Sequence, residues 1–247
     1  MAGRSGARGG GTPRPRRSAG ARKTPAPAGR KATRTPVKPA TPGAPVVSAA
    51  VSGPFRLGAV EGATPGKWIG TWRERLPHAP LELVPLQPDD QRAALIDGSV
   101  DAAIVRMPID RSGLHVIALY DEVAVVVCAA DSHLTAADEL TFADLVDEIV
   151  IAPRQLPLDV DVPGARAPRF DPPETIADAI AIAATGVGVV IVPLSLARLH
   201  HRKDAAHRPL AGAPASPVAL AWREGETTPQ IDAFIGIVRG RTANSSR

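Results

Sequence analysis

The sequence predicts an α/β protein with mainly parallel sheets, and three observations support that class. From Phe55 onward, short β-rich runs alternate with stretches of helical periodicity, which is typical of βαβ units. One run, EVAVVVCAA (122–130), is almost continuously apolar, as expected for a strand buried on both faces. The first 50 residues contain no acidic residue and many prolines, so the globular part is expected to begin near Pro54.

The first half of this globular part predicts strand–helix–strand units. A helix is expected to begin at Thr64-Pro65, because threonine is a favourable N-cap and proline suits the first helical turn, and to stop before Pro77. The run PDDQRAALIDG is expected to form a short helix that ends at Gly98. The strands predicted here are 55–60, 81–86 and 100–105.

The second half follows the same alternation. Thr141 and Asp144 have the spacing of a capping box, which predicts a short helix through Val146. Residues 153–170 are rich in proline and lack periodicity, so a loop is expected there. Further helices are expected to begin at Asp171, Pro193 and Thr228. The strands predicted here are 114–119, 122–130, 148–152, 187–192 and 217–222.

The formal net charge of +4 conceals an uneven distribution. Residues 1–50 hold 11 Lys and Arg and no acid, which leaves 18 basic and 25 acidic residues, a charge of −7, for the rest. Residues 1–53 are predicted to be a disordered basic tail, since they have little apolar surface to offset an ordering cost of about 1–2 kcal/mol per residue. Such a tail could bind nucleic-acid phosphates. The candidate residues are Arg14, Arg16, Arg17, Arg22, Lys23, Arg30, Lys31 and Arg34.

Composition also excludes several classes of protein. The lone Cys128 excludes an internal disulfide framework and any metal site built from several cysteines. No apolar run approaches the roughly 18 residues of a transmembrane helix. The twin arginine Arg16-Arg17 is not followed by the apolar region of an export signal, so a cytoplasmic protein with no membrane contact is expected.

The sequence contains no complete motif for catalysis or cofactor binding. GATPGKW (62–68) resembles a phosphate-binding loop, but Trp68 replaces the Ser or Thr that would ligate magnesium. Gly186-Val-Gly188 lacks the third glycine of a dinucleotide fingerprint. His200, His201 and His207 are interpreted as part of a solvated basic helix end rather than as metal ligands. No enzyme, metal or cofactor is therefore expected.

Four segments together resemble one known family. The first is LGAVEGATPGKWIGTWRERLPHAPLELVPLQPDDQRAALIDGSVDAAIVRMP (57–108), the second is LHVIALYDEVAVVVCAADSHL (114–134), the third is TFADLVDEIVI (141–151), and the fourth is ETIADAIAIAATGVGVVIVPLSLAR (174–198). Their order and spacing are similar to those of the effector-binding domain of LysR-type transcriptional regulators. The second segment is similar to the family pattern L-x-x-x-x-L-x-x-E-x-x-x-x-V-x-x-x-x-H-P-L, with His133-Leu134 but no proline between them. The resemblance covers nearly all of 55–240.

The resemblance implies a type II periplasmic-binding-protein-like fold, with two α/β lobes joined by two crossover segments and a small effector in the cleft. Lobe I would comprise about 54–115 plus the C-terminal part, and lobe II about 122–210, within a domain of 54–247. Two departures from the family stand out. The winged helix-turn-helix that normally precedes this domain is replaced by the basic tail, and lobe II is shortened between Ile151 and Glu174.

Five residues are candidate ligand contacts, because ligands of open α/β sheets lie beyond the carboxyl ends of strands. They are Ala63, Thr64, Arg106, Arg154 and Thr175. Arg106 could pair with a carboxylate of the ligand in bidentate fashion. Simpler roles compete with each assignment: Thr64 as an N-cap, Arg106 in a surface ion pair, Arg154 in an exposed loop and Thr175 in a first helical turn.

These observations predict a non-enzymatic effector-binding module that senses a small organic anion in transcriptional regulation. A homodimer is expected only from the resemblance. The alternative is a nucleic-acid-associated protein whose tail binds DNA or RNA phosphates without base specificity. A third possibility is that translation begins downstream of the tail.

Overall fold

The computed structural model of the chain describes residues 53–225 and 227–240. The predicted basic tail, with all of its candidate nucleic-acid contacts, lies outside the described residues apart from Gly53. Within the described part, no helix is long and apolar enough to cross a membrane.

The described residues form eight strands and five α-helices. The strands are β1 (Phe55–Val60), β2 (Leu81–Leu86), β3 (Ala102–Arg106), β4 (Leu114–Glu122), β5 (Ala124–Ala129), β6 (Val190–Pro193), β7 (Ala205–Pro209) and β8 (Ser216–Arg223). The helices are α1 (Gly66–Arg75), α2 (Gln91–Ile96), α3 (Ile176–Ala183), α4 (Leu194–Leu199) and α5 (Pro229–Val238). Short 3-10 helices cover Pro88–Asp90, His133–Ala136 and Phe142–Leu145.

The strands form two sheets, which confirms the two-lobed α/β class. The first sheet has the order β2-β1-β3-β8-β4, and the second has the order β6-β5-β7. Only β1 pairs in parallel, with β2 and with β3; the pairings of β8 and of β5 are antiparallel. The first sheet is therefore mixed and the second is antiparallel, so the sheets are not mainly parallel as predicted. A buried apolar strand such as β5 can pair in parallel or antiparallel, so its composition does not determine how it pairs.

Each sheet is packed against its own helices. Phe55 of β1, Trp72 of α1 and Phe234 of α5 are fully buried, and the rings of Phe55 and Trp72 stack at 4.8 Å. Ile176 and Ile180 of α3 pack in the same way against the second sheet. The apolar spacing of α1, α3 and α5 thus fixes the helices on the sheets and holds the ends of the strands in place.

Two local predictions about helix starts are wrong. The N-cap position of α1 is Pro65 rather than Thr64, and no side chain caps that helix. The third helix begins at Ile176 rather than at Asp171, because Thr175 is extended and its hydroxyl accepts the N–H of Asp178. The capping box of Thr141 and Asp144 and the Thr228 cap of α5 are confirmed.

Two strand predictions also differ from the structure. Residues 148–152 do not form a continuous strand, since Ile149 and Val150 make only isolated bridges, to Arg166 and Val189. Residues 205–209, interpreted from the sequence as part of a helix end, form β7. Its side chains are half-buried and it lies at the sheet edge, so the segment lacks the apolar alternation by which strands are recognised.

Candidate functional site

A cavity of about 910 Å³ opens where β1, β2 and β4 end, and residues of α3 and α4 line its other side. Its walls include Val60 and Leu86, the last residues of two parallel strands, and Thr175 and Ile176 at the start of α3. The carboxyl ends of strands are where open α/β sheets hold ligands. The volume suits a small organic molecule.

The cavity wall is largely apolar. Leu83, Val123 and Leu199 are among the most exposed large hydrophobic side chains of the described residues, and all three line the cavity. Large apolar side chains that remain accessible around a pocket favour a ligand with an apolar body.

Three of the five predicted site residues line the cavity. Ala63 and Thr64 lie in the turn between β1 and α1, and Thr175 lies at the start of α3. Thr175 keeps its capping role as well, because its hydroxyl both accepts the Asp178 N–H and donates to the Asp178 carboxylate. A hydrogen bond from the Thr175 hydroxyl to a ligand would therefore compete with its capping of α3.

Arg106 is not among the cavity-lining residues. Its side chain is 5% exposed, and Nη1 donates to Glu122 Oε2 and to Ser216 Oγ, each at 2.7 Å. Its backbone N–H donates to the buried side chain of Gln91 at 2.7 Å. The structure thus places the charge of Arg106 in a buried ion pair rather than in a surface ion pair.

Arg154 lies at the margin of the cavity. Its Nε contacts Glu174 Oε1 at 2.8 Å, and the two side chains are 56% and 70% exposed. Glu174 and Gln155 line the cavity, whereas Arg154 itself does not. An exposed pair of this kind contributes little stability.

Glu122 is the functional candidate that the sequence analysis did not single out. It ends β4, lines the cavity, and its side chain is only 9% exposed. Its Oε2 accepts both from Arg106 and from Ser195 Oγ of α4, the latter at 2.8 Å. The glutamate of the family pattern was the one sequence signal that could have pointed to it.

The same cluster lies where the chain passes between the two sheets. Glu122 precedes the passage from β4 to β5, and Ser216 opens β8 after the passage from β7. Arg106 bonds to both residues, so one guanidinium links the two crossover segments. Glu122 extends the link to α4 through Ser195.

A second contact joins the β1–α1 turn to α4. Glu61 Oε1 lies 2.9 Å from His200 Nε2. Gly62, with φ of +83°, lies so close to α4 that a Cβ there would be 2.6 Å from Ser195 Oγ and 2.9 Å from Leu196 Cδ2. Glycine therefore permits both the left-handed backbone and the close approach of the turn to α4.

Tyr120 supplies a hydroxyl to the cavity two residues before Glu122. Burial, and secondly the charge of Glu122, raise the pKa of Tyr120, while Arg106 and a backbone hydrogen bond from Thr64 oppose the shift. The net shift is upward from the ordinary value of about 10, so the phenol is protonated at neutral pH and can donate a hydrogen bond.

Some of the charges that line the cavity are paired: Glu122 pairs with Arg106 and Glu174 with Arg154. Asp121, which is exposed, also lines the cavity and forms no ion pair with any described residue. Arg198 of α4 also lines the cavity, is exposed, and forms no ion pair with any described residue. No cluster of three or more His, Cys, Asp or Glu suited to a metal ion occurs in the described ranges.

One family model matches most of the chain, and a curated relative is similar to the chain over a comparable length. The family model of the LysR substrate binding domain matches residues 48–243. The chain is 28% identical over 193 residues to the Hca operon transcriptional activator HcaR of Escherichia coli (strain K12), a match that covers 72% of this chain and 63% of HcaR. The chain thus spans less than two thirds of that relative's length.

Solved structures show the same fold. The oxidized form of OxyR has a TM-score of 0.64 and 19% identity, over 79% of this chain and 99% of the OxyR chain. The effector binding domain of BenM with its effector benzoate has a TM-score of 0.62 and 21% identity, over 76% of this chain and 94% of that one.

Proposed function

The chain belongs to the LysR substrate-binding domain family, and from that premise we propose that it is a non-enzymatic effector-binding module of transcriptional regulation in the cytoplasm. The observation that carries the proposal is the 910 Å³ cavity at the carboxyl ends of β1 and β2. We assign 54–115 with the C-terminal part to the first lobe and 122–210 to the second, with the effector in the cleft.

We further propose that the effector is a small organic anion. Arg106, the cation that the sequence analysis favoured, is already paired with Glu122. Arg198 supports the proposal instead, because it lines the cavity, is exposed and forms no ion pair with any described carboxylate. BenM, whose domain has this fold, has the carboxylate benzoate as its effector.

Isothermal titration with a library of small carboxylic acids tests this function. We expect saturable heats from some acids, and replacing Arg198 by glutamine should weaken binding about tenfold, since a hydrogen bond to a charged group contributes roughly 1.5–3 kcal/mol. Arg154→Gln is the matched control, because Arg154 is already paired with Glu174 and does not itself line the cavity. Heats from no acid in the library would reject the effector-binding function.

The second candidate function rests on the tail. Eleven basic residues and no acid within residues 1–50 favour phosphate binding by counterion release. A gel shift with duplex DNA and with RNA, at increasing salt, should show binding by the full chain that is lost when residues 1–53 are removed. Equal binding by the shortened chain would reject a role for the tail. Sedimentation of both forms tests the homodimer that the family resemblance suggests.

A further inference from the structure

We propose that Glu122 recognises a hydrogen-bond donor on the effector, so that the effector is a carboxylic acid that also carries a hydroxyl or amino group. The inference rests on the proposed function and names the ligand class of that same cavity. It follows from how the carboxylate of Glu122 is held, from what surrounds it, and from where Arg198 lies.

Glu122 combines burial with access to the cavity. Its side chain is 91% removed from solvent, yet the residue is part of the cavity wall. Both of its hydrogen bonds, from Arg106 and from Ser195, end on Oε2. Among the described residues no donor is bonded to Oε1, which leaves that oxygen as an acceptor for a ligand.

The carboxylate is also fixed in orientation. Arg106 is itself held by Ser216, and Ser195 belongs to α4, so neither donor follows a rotation of Glu122. A preorganised acceptor loses little freedom when a ligand binds, which increases the selectivity of the contact. An ionised carboxylate accepts hydrogen bonds and donates none, so the group it recognises must be an O–H or an N–H.

A ligand carboxylate cannot take the place of that donor. Two like charges close together in a partly buried site repel one another strongly. The acid group of the effector must therefore lie away from Glu122, toward Arg198. The neutral phenol of Tyr120, two residues along the same face of β4, adds a donor on the Glu122 side.

Helix α4 sets the spacing of the two groups. Ser195, which bonds to Glu122, and Arg198 are three residues apart and so lie on one face of the helix, with Cβ atoms about 5–6 Å apart. A molecule whose donor and carboxylate are separated by a ring or a short chain spans that distance. The cavity volume of about 910 Å³ accommodates such a molecule.

Titration of the full chain with paired acids tests the inference. Each small carboxylic acid is compared with its hydroxyl-substituted analogue, and we expect the better analogues to bind about tenfold more tightly than their parents. Glu122→Gln should bring that ratio close to one while the parent acids still bind. Asp121→Asn is the matched control, because it removes a neighbouring carboxylate that lines the same cavity but is exposed, and it should retain the ratio.

The outcomes separate this inference from the function on which it rests. Parents and analogues that bind equally, or a ratio that Glu122→Gln and Asp121→Asn change alike, would overturn the role of Glu122 and leave effector binding intact. Binding of no acid would overturn the proposed function. If Glu122→Gln does not fold, a crystal structure of the unaltered chain with the preferred analogue decides: its hydroxyl should lie within about 3 Å of the Glu122 carboxylate, and a hydroxyl elsewhere contradicts the inference.

Discussion

Replacing Arg106 with leucine is expected to lower the free energy of unfolding by about 3–5 kcal/mol, because it leaves the carboxylate of Glu122 buried without its counter-charge. Ser216, which has no accessible surface, loses its bond to the guanidinium in the same variant. Urea denaturation followed by circular dichroism measures the loss.

Two further variants separate the effect of the unpaired Glu122 charge from the effect of losing the arginine side chain. Arg154→Leu makes the same substitution in an exposed pair and should cost less than about 1 kcal/mol. Adding Glu122→Gln to Arg106→Leu removes the uncompensated charge and should restore part of the stability. A double variant as unstable as the single one would contradict the interpretation that burial of an unpaired charge causes the loss.

Gly62→Ala is expected to destabilise the protein by about 2–5 kcal/mol. The positive φ of +83° costs roughly 1–2 kcal/mol for a residue with a Cβ. The new methyl group also overlaps Ser195 and Leu196, and overpacking of this kind costs about 1–3 kcal/mol. Because the overlap lies between the β1–α1 turn and α4, effector binding in the adjoining cavity should weaken as well.

Gly98→Ala provides the matched control for the backbone contribution. Gly98 has φ of +76° and no atom within 4 Å of its hypothetical Cβ, so this variant carries the conformational cost alone. Thermal unfolding of both variants should show a clearly larger loss for Gly62. Equal losses of stability in the two variants would mean that the β1–α1 turn shifts to accommodate the methyl group. The turn would then not be tightly packed against α4.

Local patterns predicted most of the fold. The Thr228 cap of α5 and the capping box at Thr141 depend on residues within one helical turn, and the sequence alone reveals them. β1 and β2 were predicted with their observed bounds, since both are short β-rich runs bounded by turn residues. The family resemblance supplied the two-lobed arrangement that local patterns do not specify.

The candidate site was predictable only in part, because its central contacts join distant residues. Arg106 was expected just after a strand and is the last residue of β3, but its partners Glu122 and Ser216 are 16 and 110 positions away. Glu122 and Ser195 are 73 positions apart. Whether an arginine faces a ligand or a neighbouring carboxylate depends on such pairings, which neither periodicity nor composition encodes.

The position of β8 between β3 and β4 affects the order in which the two sheets can form during synthesis. The second sheet comes from the continuous stretch 124–209, and a growing chain contains all of it before β8 is synthesised. β4 pairs only with β8 in its sheet, so the first sheet stays open until residues 216–223 emerge. Ser216 arrives with the same segment, so the buried cluster around Arg106 is completed only once β8 has been synthesised.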